Sequence, residues 1–202
     1  MKRATLILAA LLLMLGGAGQ ARAGFMITFS QNGPDVVASG QGAFNLTALA
    51  FNGSDLTFGL IDANDGDVHL GPVFPTVSSI DHYNHVNGPG SFGPGGAILA
   101  SAGSGDLVGI SGGLDLVVPR GYVSGHQLLD SATWANSTIS GLGLTPGTYT
   151  WSWGSVDMGT ADSLVMVIPE TSGVPEPASL TLLGIGLLGL IGHGWRRRKQ
   201  AA

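Results

Sequence analysis

The sequence predicts an all-β fold, an antiparallel β-sandwich, for residues 24–173. Apolar side chains alternate with smaller or more polar ones over several short segments, beginning with Phe25, Ile27 and Phe29. A strand with one buried face has this two-residue period, because successive side chains point to opposite sides of a sheet. Gly, Pro, Asn and Asp separate the segments, and no stretch keeps the 3.6-residue period of an amphipathic helix.

The period-two segments define the expected strands in chain order. They are residues 25–30, 55–60, 106–110, 114–118, 149–153 and 164–168. In one of them, Tyr149, Trp151 and Trp153 share a strand face. An exposed row of this kind could stack on sugar rings, but large aromatic side chains on one face more often pack in a core. We therefore favour the core for all three.

Two connections between the expected strands have recognisable chemistry. Pro146-Gly147 is a turn sequence, and Tyr149 follows at the start of a strand. This pattern is similar to the tyrosine corner of Greek-key sandwiches, where the Tyr hydroxyl bonds to the upstream backbone. Residues 87–96 (NGPGSFGPGG) are expected to form a long surface loop.

The charge of residues 24–174 excludes some classes of partner. Between residues 24 and 174, one basic residue, Arg120, stands against twelve Asp and Glu, for a formal net charge of −11. This field repels nucleic acid and anionic lipid, so we expect no nucleic-acid partner. The chain has no Cys, which excludes disulfides and thiolate chemistry.

Residues 1–23 have the three parts of a secretory signal peptide. A short basic start precedes the apolar run of residues 4–15, and Ala21 and Ala23 supply the small side chains at the cleavage site. An uncleaved anchor helix is the alternative, but the run is short for a membrane span. We expect signal peptidase to cleave before Gly24.

Residues 178–195 are predicted to form a transmembrane helix. They contain no Asp, Glu, Lys or Arg, and at 1.5 Å per residue they cover roughly 27 Å, about the thickness of the hydrocarbon core. A cluster of four bases follows at once: Arg196, Arg197, Arg198 and Lys199. Such a cluster holds its end of a span in the cytoplasm. Residues 24–173, the body of the protein, then lie outside the cytoplasm. A buried core helix would not explain the cluster.

The segment before the span is Val174-Pro175-Glu176-Pro177. The two prolines favour an extended backbone that shows one carboxylate, Glu176. This motif at 174–177, followed by the apolar span and the basic cluster to residue 199, resembles the PEP-CTERM sorting signal. The resemblance implies recognition by exosortase, a membrane-embedded cysteine protease/transpeptidase-like enzyme, in Gram-negative bacteria that make exopolysaccharide. It also implies that Pro175, Glu176 and Pro177 are recognition residues of a substrate, and no residue is assigned a catalytic role.

One acidic turn has the composition of a calcium loop. Its oxygen-bearing residues are Asp62, Asn64, Asp65 and Asp67. It departs from the EF-hand pattern, because Gly66 comes one place early and no Glu closes the loop. A Gly-containing acidic turn explains the composition as well. Calcium is thus a candidate ligand, and no other cofactor or metal is expected.

Three further patterns are interpreted as structural. Residues 109–113 match G-x-S-x-G around Ser111, but a strand rather than a helix is expected to follow. Residues 88–93 match G-x-G-x-x-G, but Pro89 and the lack of a following helix argue against a phosphate loop. The histidines of residues 81–85, with His69 upstream, lack a zinc-binding framework.

These features predict an exported, non-enzymatic surface or extracellular-matrix protein. We expect exosortase to sort it through its C-terminal motif, from a membrane-anchored intermediate with the body outside the cytoplasm to the cell surface or the medium. Its setting would be an exopolysaccharide layer or biofilm. The alternative is a carbohydrate- or calcium-dependent binding module, and a secreted hydrolase is less favoured.

Overall fold

The structure is a computed structural model that describes residues 24–170. This region is all-β, as predicted. Its strands are β1 (Phe25–Asn32), β2 (Asp35–Gly42), β3 (Ala50–Thr57), β4 (Leu60–Asp62), β5 (Asp67–Leu70), β6 (Ser78–Asn84), β7 (Ala97–Leu99), β8 (Ala102–Gly105), β9 (Val108–Ser111), β10 (Asp115–Pro119), β11 (Leu128–Trp134), β12 (Gly147–Trp153) and β13 (Asp162–Ile168). A single 3-10 turn, Leu46–Ala48, lies between β2 and β3.

Helices that could cross a membrane are not found between residues 24 and 170. The predicted signal peptide, residues 1–23, and the predicted span, residues 178–195, lie outside the described residues.

The strands form two sheets. The six-stranded sheet has the order β12-β13-β1-β2-β11-β8, and the seven-stranded sheet has the order β3-β6-β10-β9-β5-β4-β7. Apolar residues from both sheets belong to one buried cluster, in which Phe25 and Trp151 of the first sheet join Ile61 and Leu116 of the second. The two sheets therefore pack on one shared core. In this arrangement the apolar face of each sheet is removed from water.

One strand pair departs from the expected antiparallel order. β1 pairs with β13 in parallel, with Phe25 opposite Leu164 and Ile27 opposite Met166, while β13 also pairs antiparallel with β12. The first sheet is therefore mixed. The sequence period does not reveal this, because parallel and antiparallel strands alternate their side chains in the same way.

The predicted strand at residues 55–60 is wrong as a single element. β3 ends at Thr57 and β4 begins at Leu60. These two strands are not neighbours, since β3 forms one edge of the seven-stranded sheet and β4 lies next to the strand at its other edge. The alternation of residues 55–60 thus spans the end of one strand, a connection and the start of another.

Aromatic packing fills the core near the start of β1. The ring of Phe44 lies 5.0 Å from that of Phe25 and 5.8 Å from that of Trp153, centroid to centroid. Phe29 stacks on Trp134 at 5.9 Å. Truncating a buried aromatic of this kind to Ala typically costs about 3–5 kcal/mol, because it removes apolar burial and leaves a cavity.

The outer face of the six-stranded sheet carries uncharged rows of side chains. The strand registers align one row across all six strands: Thr148, Val167, Thr28, Ser39, Ser131 and Ser104. A second row runs beside it: Thr150, Val165, Met26, Gln41 and Leu129. Neither row contains a charged side chain, although the region as a whole is strongly acidic.

Candidate functional site

The acidic turn proposed for calcium is the β4–β5 hairpin connection. Asp62 and Asp67 face each other in the register of this hairpin. The Asp65 backbone N–H donates to Asp62 Oδ1 at 3.2 Å, and the Asn64 amide donates to Asp65 Oδ1 at 2.8 Å. Asp67 Oδ1 accepts the backbone N–H of Gly112. These carboxylates thus hold backbone and side-chain donors, as an acidic turn does.

Calcium binding at this turn stays a prediction. Among residues 24–170, no group of three or more His, Asp or Glu side chains is placed to hold a metal ion.

The two sequence patterns with catalytic spacing lie on a hairpin and a loop. Ser111 ends β9, and the chain turns directly into β10, with Asp115 opposite Ser111. No helix follows Ser111, so the strand–turn–helix geometry of a nucleophile elbow is not formed. Residues 88–93 belong to the long loop before β7, as predicted, where the Ser91 hydroxyl donates to Ala63 O at 2.9 Å.

The aromatic row of β12 is in the core, as predicted. Trp151 and Trp153 are buried, and their indole N–H groups donate to the backbone oxygens of Pro89 at 3.1 Å and Asn45 at 2.9 Å. Tyr149 is half-buried, and its hydroxyl donates to Thr145 O at 2.9 Å. The tyrosine-corner contact is therefore present, and this row does not offer an exposed stacking platform.

Within the described region, the histidines do not form a group of three or more possible metal ligands. His69 is buried on β5, where Thr57 Oγ1 lies 3.2 Å from its Nδ1. Burial lowers the pKa of His69 to about 4; the carboxylate of Asp67 raises it, and His82 lowers it further. His85 is exposed after the end of β6. His69 is therefore a neutral packing residue at physiological pH.

A buried carboxyl that the sequence pattern did not predict lies on β11. Asp130 is only 4% exposed, and neither of its oxygens has a hydrogen-bond partner within residues 24–170. Burial raises the pKa of Asp130 to about 8, and the Asp106 carboxylate raises it further; the polar backbone of Gly40, close to the carboxyl but without the geometry of a hydrogen bond, opposes the shift. At neutral pH the folded protein thus holds Asp130 largely in its protonated form.

A shallow cleft of about 760 Å³ lies at the β12 side of the six-stranded sheet. Thr150 and Ser152 of β12 and Ser163 of β13 form its floor, on the same outer face as the uncharged rows. His85 and Asn87 flank it on one side. Asn87 is fixed to Ser152 by two backbone hydrogen bonds of 2.9 and 2.8 Å.

The opposite wall of the cleft is formed by Gly154, Val156 and Ala161 of the β12–β13 connection, residues 154–161. Gly154 has φ of 73°, and a Cβ there would lie 2.2 Å from Thr160 O, so only glycine fits this turn. Ser155 and Thr160 close the connection on itself, through Thr160 N–H to Ser155 O at 3.0 Å and Ser155 N–H to Thr160 Oγ1 at 3.0 Å. The closed turn leaves Val156 85% exposed at the cleft.

Asp162 is the one carboxylate of the cleft, and both of its oxygens are engaged. Oδ2 accepts the Asn45 backbone N–H at 2.6 Å, and Oδ1 accepts the Ser163 backbone N–H at 2.8 Å. The group therefore fixes the start of β13 against the loop after β2, and it also gives the cleft a negative wall.

Comparison with known protein families bears on the C-terminal segment. Residues 173–199 match the PEP-CTERM protein-sorting motif. The chain carries a PEP-CTERM sorting motif. No curated protein and no solved structure matches the chain. The motif implies an exported protein that is targeted to exosortase through a membrane-anchored sorting intermediate.

The sorting residues themselves lie outside the described region. These are the PEP-CTERM residues Pro175, Glu176 and Pro177, the basic cluster of residues 196–199, and the cleavage-site residues Ala21 and Ala23. Their roles were read from contiguous sequence, in which order and spacing carry the signal. The cleft and Asp130 were missed, because each depends on strands that are distant in sequence.

Proposed function

We propose that this chain is a non-enzymatic surface or matrix protein that exosortase sorts at Pro175-Glu176-Pro177. Its body would act in or near an extracellular polysaccharide layer. The observation that carries the proposal is the PEP-CTERM motif at residues 173–199. In this scheme signal peptidase removes residues 1–23, and the span at residues 178–195 holds the intermediate in the membrane until exosortase acts.

The non-enzymatic part rests on where the candidate chemistry lies. Ser111 is at a hairpin rather than an elbow, and Asp62 and Asp67 are engaged by backbone donors. Asp130 is enclosed in the core. These placements favour structural roles for the residues that a hydrolase would need in an accessible site.

The decisive test compares two glutamates. Glu170 and Glu176 are the only Glu residues of the chain, and they lie six positions apart on either side of the start of the motif. We expect Glu176→Gln to reduce the tail-processed protein in the extracellular fraction at least ten-fold, because the motif loses its only carboxylate. Glu170→Gln, the matched control, should be processed as in the wild type. Mass spectrometry of the C-terminus measures both.

The same measurement in a strain without exosortase provides the second arm. We expect the intact tail to remain on the protein in that strain and to be absent from the extracellular protein of the parent strain. An intact tail on the surface protein of both strains, or equal processing of both Glu variants, would contradict sorting by exosortase.

A further inference from the structure

We propose that the cleft between β12, β13 and the 154–161 connection binds a neutral polysaccharide chain. This inference rests on the proposed function and gives it a site. The aromatic row is buried and does not provide such a surface. The cleft instead offers a binding surface made of hydroxyl, amide and imidazole groups.

The lining of the cleft is chemically matched to a polyhydroxylated ligand. Thr150, Ser152 and Ser163 present hydroxyls, each of which both donates and accepts hydrogen bonds. Asn87 adds an amide, and His85 adds an imidazole beside it. Sugar hydroxyls also donate and accept, so neutral groups of this kind can pair with them without a buried charge.

Charge determines which polysaccharides the cleft can take. Asp162 contributes a carboxylate to the wall, and no Lys or Arg lines the cleft. Arg120, the only base of residues 24–170, is part of a different concavity. The surrounding region carries a formal charge of −11. An anionic polymer is therefore repelled, whereas a neutral one bears no such cost.

The shape of the cleft fits a polymer rather than a small enclosed ligand. Its volume of about 760 Å³ is within the range of ligand sites, and it is open to solvent. Its floor continues into the uncharged row that runs from Thr150 to Leu129 across five strands. A chain held in the cleft can thus extend along a row of uncharged side chains.

Two features hold the cleft in a fixed form. The Asn87–Ser152 bridge ties one side to β12, and the Ser155–Thr160 hydrogen bonds close the opposite wall. His85 has φ of 73°, a conformation that few non-glycine residues adopt. Such preorganisation reduces the entropy lost on binding. Val156, exposed on the wall formed by the β12–β13 connection, offers apolar contact to the C–H groups of a sugar ring.

Binding to purified polymers tests the site. The full-length chain in detergent micelles is titrated with dextran and cellohexaose as neutral probes and with alginate as an anionic probe. We expect at least one neutral probe to bind and alginate not to bind. Ser152→Ile fills the floor and removes a hydroxyl, and it should weaken binding at least ten-fold. Thr150→Val removes a hydroxyl at nearly constant shape and should weaken it about three- to ten-fold.

Thr148→Val is the matched control. Thr148 and Thr150 are both exposed on the outer face of β12, but only Thr150 lines the cleft. Thr148→Val should bind like the wild type. Equal binding by Ser152→Ile and the wild type, binding of alginate alone, or binding of none of the probes would overturn the assignment.

The proposed function has its own readout. If the Ser152→Ile protein loses probe binding but is still processed and exported, only polysaccharide capture by the cleft has been removed. If probe binding fails while tail processing by exosortase persists, the site is wrong and the sorting function stands. If the tail of the wild-type protein is processed equally with and without exosortase, the proposed function is wrong, whatever the cleft binds.

Discussion

Asp130 shows how one side chain can set the pH dependence of the whole domain. It occupies an inward position of β11 opposite Gly40. A Cβ at position 40 would lie 2.1 Å from Asp130 Oδ1 and 2.8 Å from the Phe25 ring, so the absence of a side chain there makes room for the carboxyl. Because burial of an unpaired carboxylate is costly, the site favours the protonated acid.

We predict that the protein becomes less stable as the pH rises from about 6.5 to 8. The folded protein keeps the Asp130 proton up to about pH 8, whereas the unfolded chain releases it near the ordinary value of 3.8. The free energy of unfolding should therefore fall across this range, with a slope of at most about 1.4 kcal/mol per pH unit, the value for one full proton. Below pH 6.5 the slope should flatten. There the unfolded chain binds a proton at His69, whereas His69 of the folded protein stays neutral down to about pH 4, and this difference offsets the proton that only the folded protein holds at Asp130.

Asp130→Asn tests the origin of this slope in denaturant titrations at several pH values. The variant should be more stable than the wild type at pH 8, by roughly 3–5 kcal/mol, and the difference should shrink toward pH 4. Asp55→Asn, at an exposed carboxylate of β3, should keep the wild-type slope. A wild-type stability that does not change between pH 6.5 and 8 would show that Asp130 is not held protonated.

At the scale of a single element, the connection into β12 depends on one hydroxyl. The Tyr149 O–H donates to Thr145 O at 2.9 Å, and the Tyr149 ring meets Phe92 edge-on at 6.0 Å between centroids. We predict that Tyr149→Phe keeps the ring contact, loses the hydrogen bond and lowers the free energy of unfolding by about 1 kcal/mol. Chemical denaturation measures the change.

Tyr83→Phe is the control for this prediction. Tyr83 also packs its ring edge-on against an aromatic, Phe51, at 5.9 Å between centroids. Removing its hydroxyl should change stability by less than half the Tyr149→Phe effect. Equal effects of the two substitutions would mean that the tyrosine-corner hydrogen bond does not contribute to stability.

The strands that could be predicted from the sequence are those with large apolar side chains on the inward face. β1, β12 and β13 have this pattern, and all three are present. β2 and β11 were missed for a physical reason. The inward positions of β2 include Ala38 and Gly40, and those of β11 include Asp130, so the hydrophobic contrast on which period-two analysis depends is weak.

The candidate sites divide in the same way. The PEP-CTERM motif is contiguous, so its residues could be named from the sequence and the family match confirmed the segment. The cleft brings together the end of β6, the middle of β12 and the start of β13. Its lining is Ser, Thr, Asn and His, which are common surface residues with no spacing of their own. Only the strand pairing shows that they share one place.

Across the whole molecule, charge is separated by position along the chain. The bases other than Arg120 lie in the two terminal segments, and all but one of the acids lie between residues 24 and 170. The basic ends favour the cytoplasmic side of a membrane, whereas the acidic region is suited to solubility outside it. The same distribution that is expected to orient the chain in the membrane also leaves the cleft in a field that disfavours anionic ligands.

This separation predicts the orientation of the membrane-anchored intermediate. Alkaline phosphatase fused after Glu170 should be active, because that position precedes the predicted span on its outer side, whereas the same enzyme fused after Ala202 should be inactive in the cytoplasm. Replacing residues 196–199 with Gln should raise the activity of the Ala202 fusion several-fold, since the four charges that hold this end inside are removed. Equal activity of the two wild-type fusions would place both ends of residues 178–195 on one side of the membrane, and exosortase could not then receive the motif from a spanning intermediate.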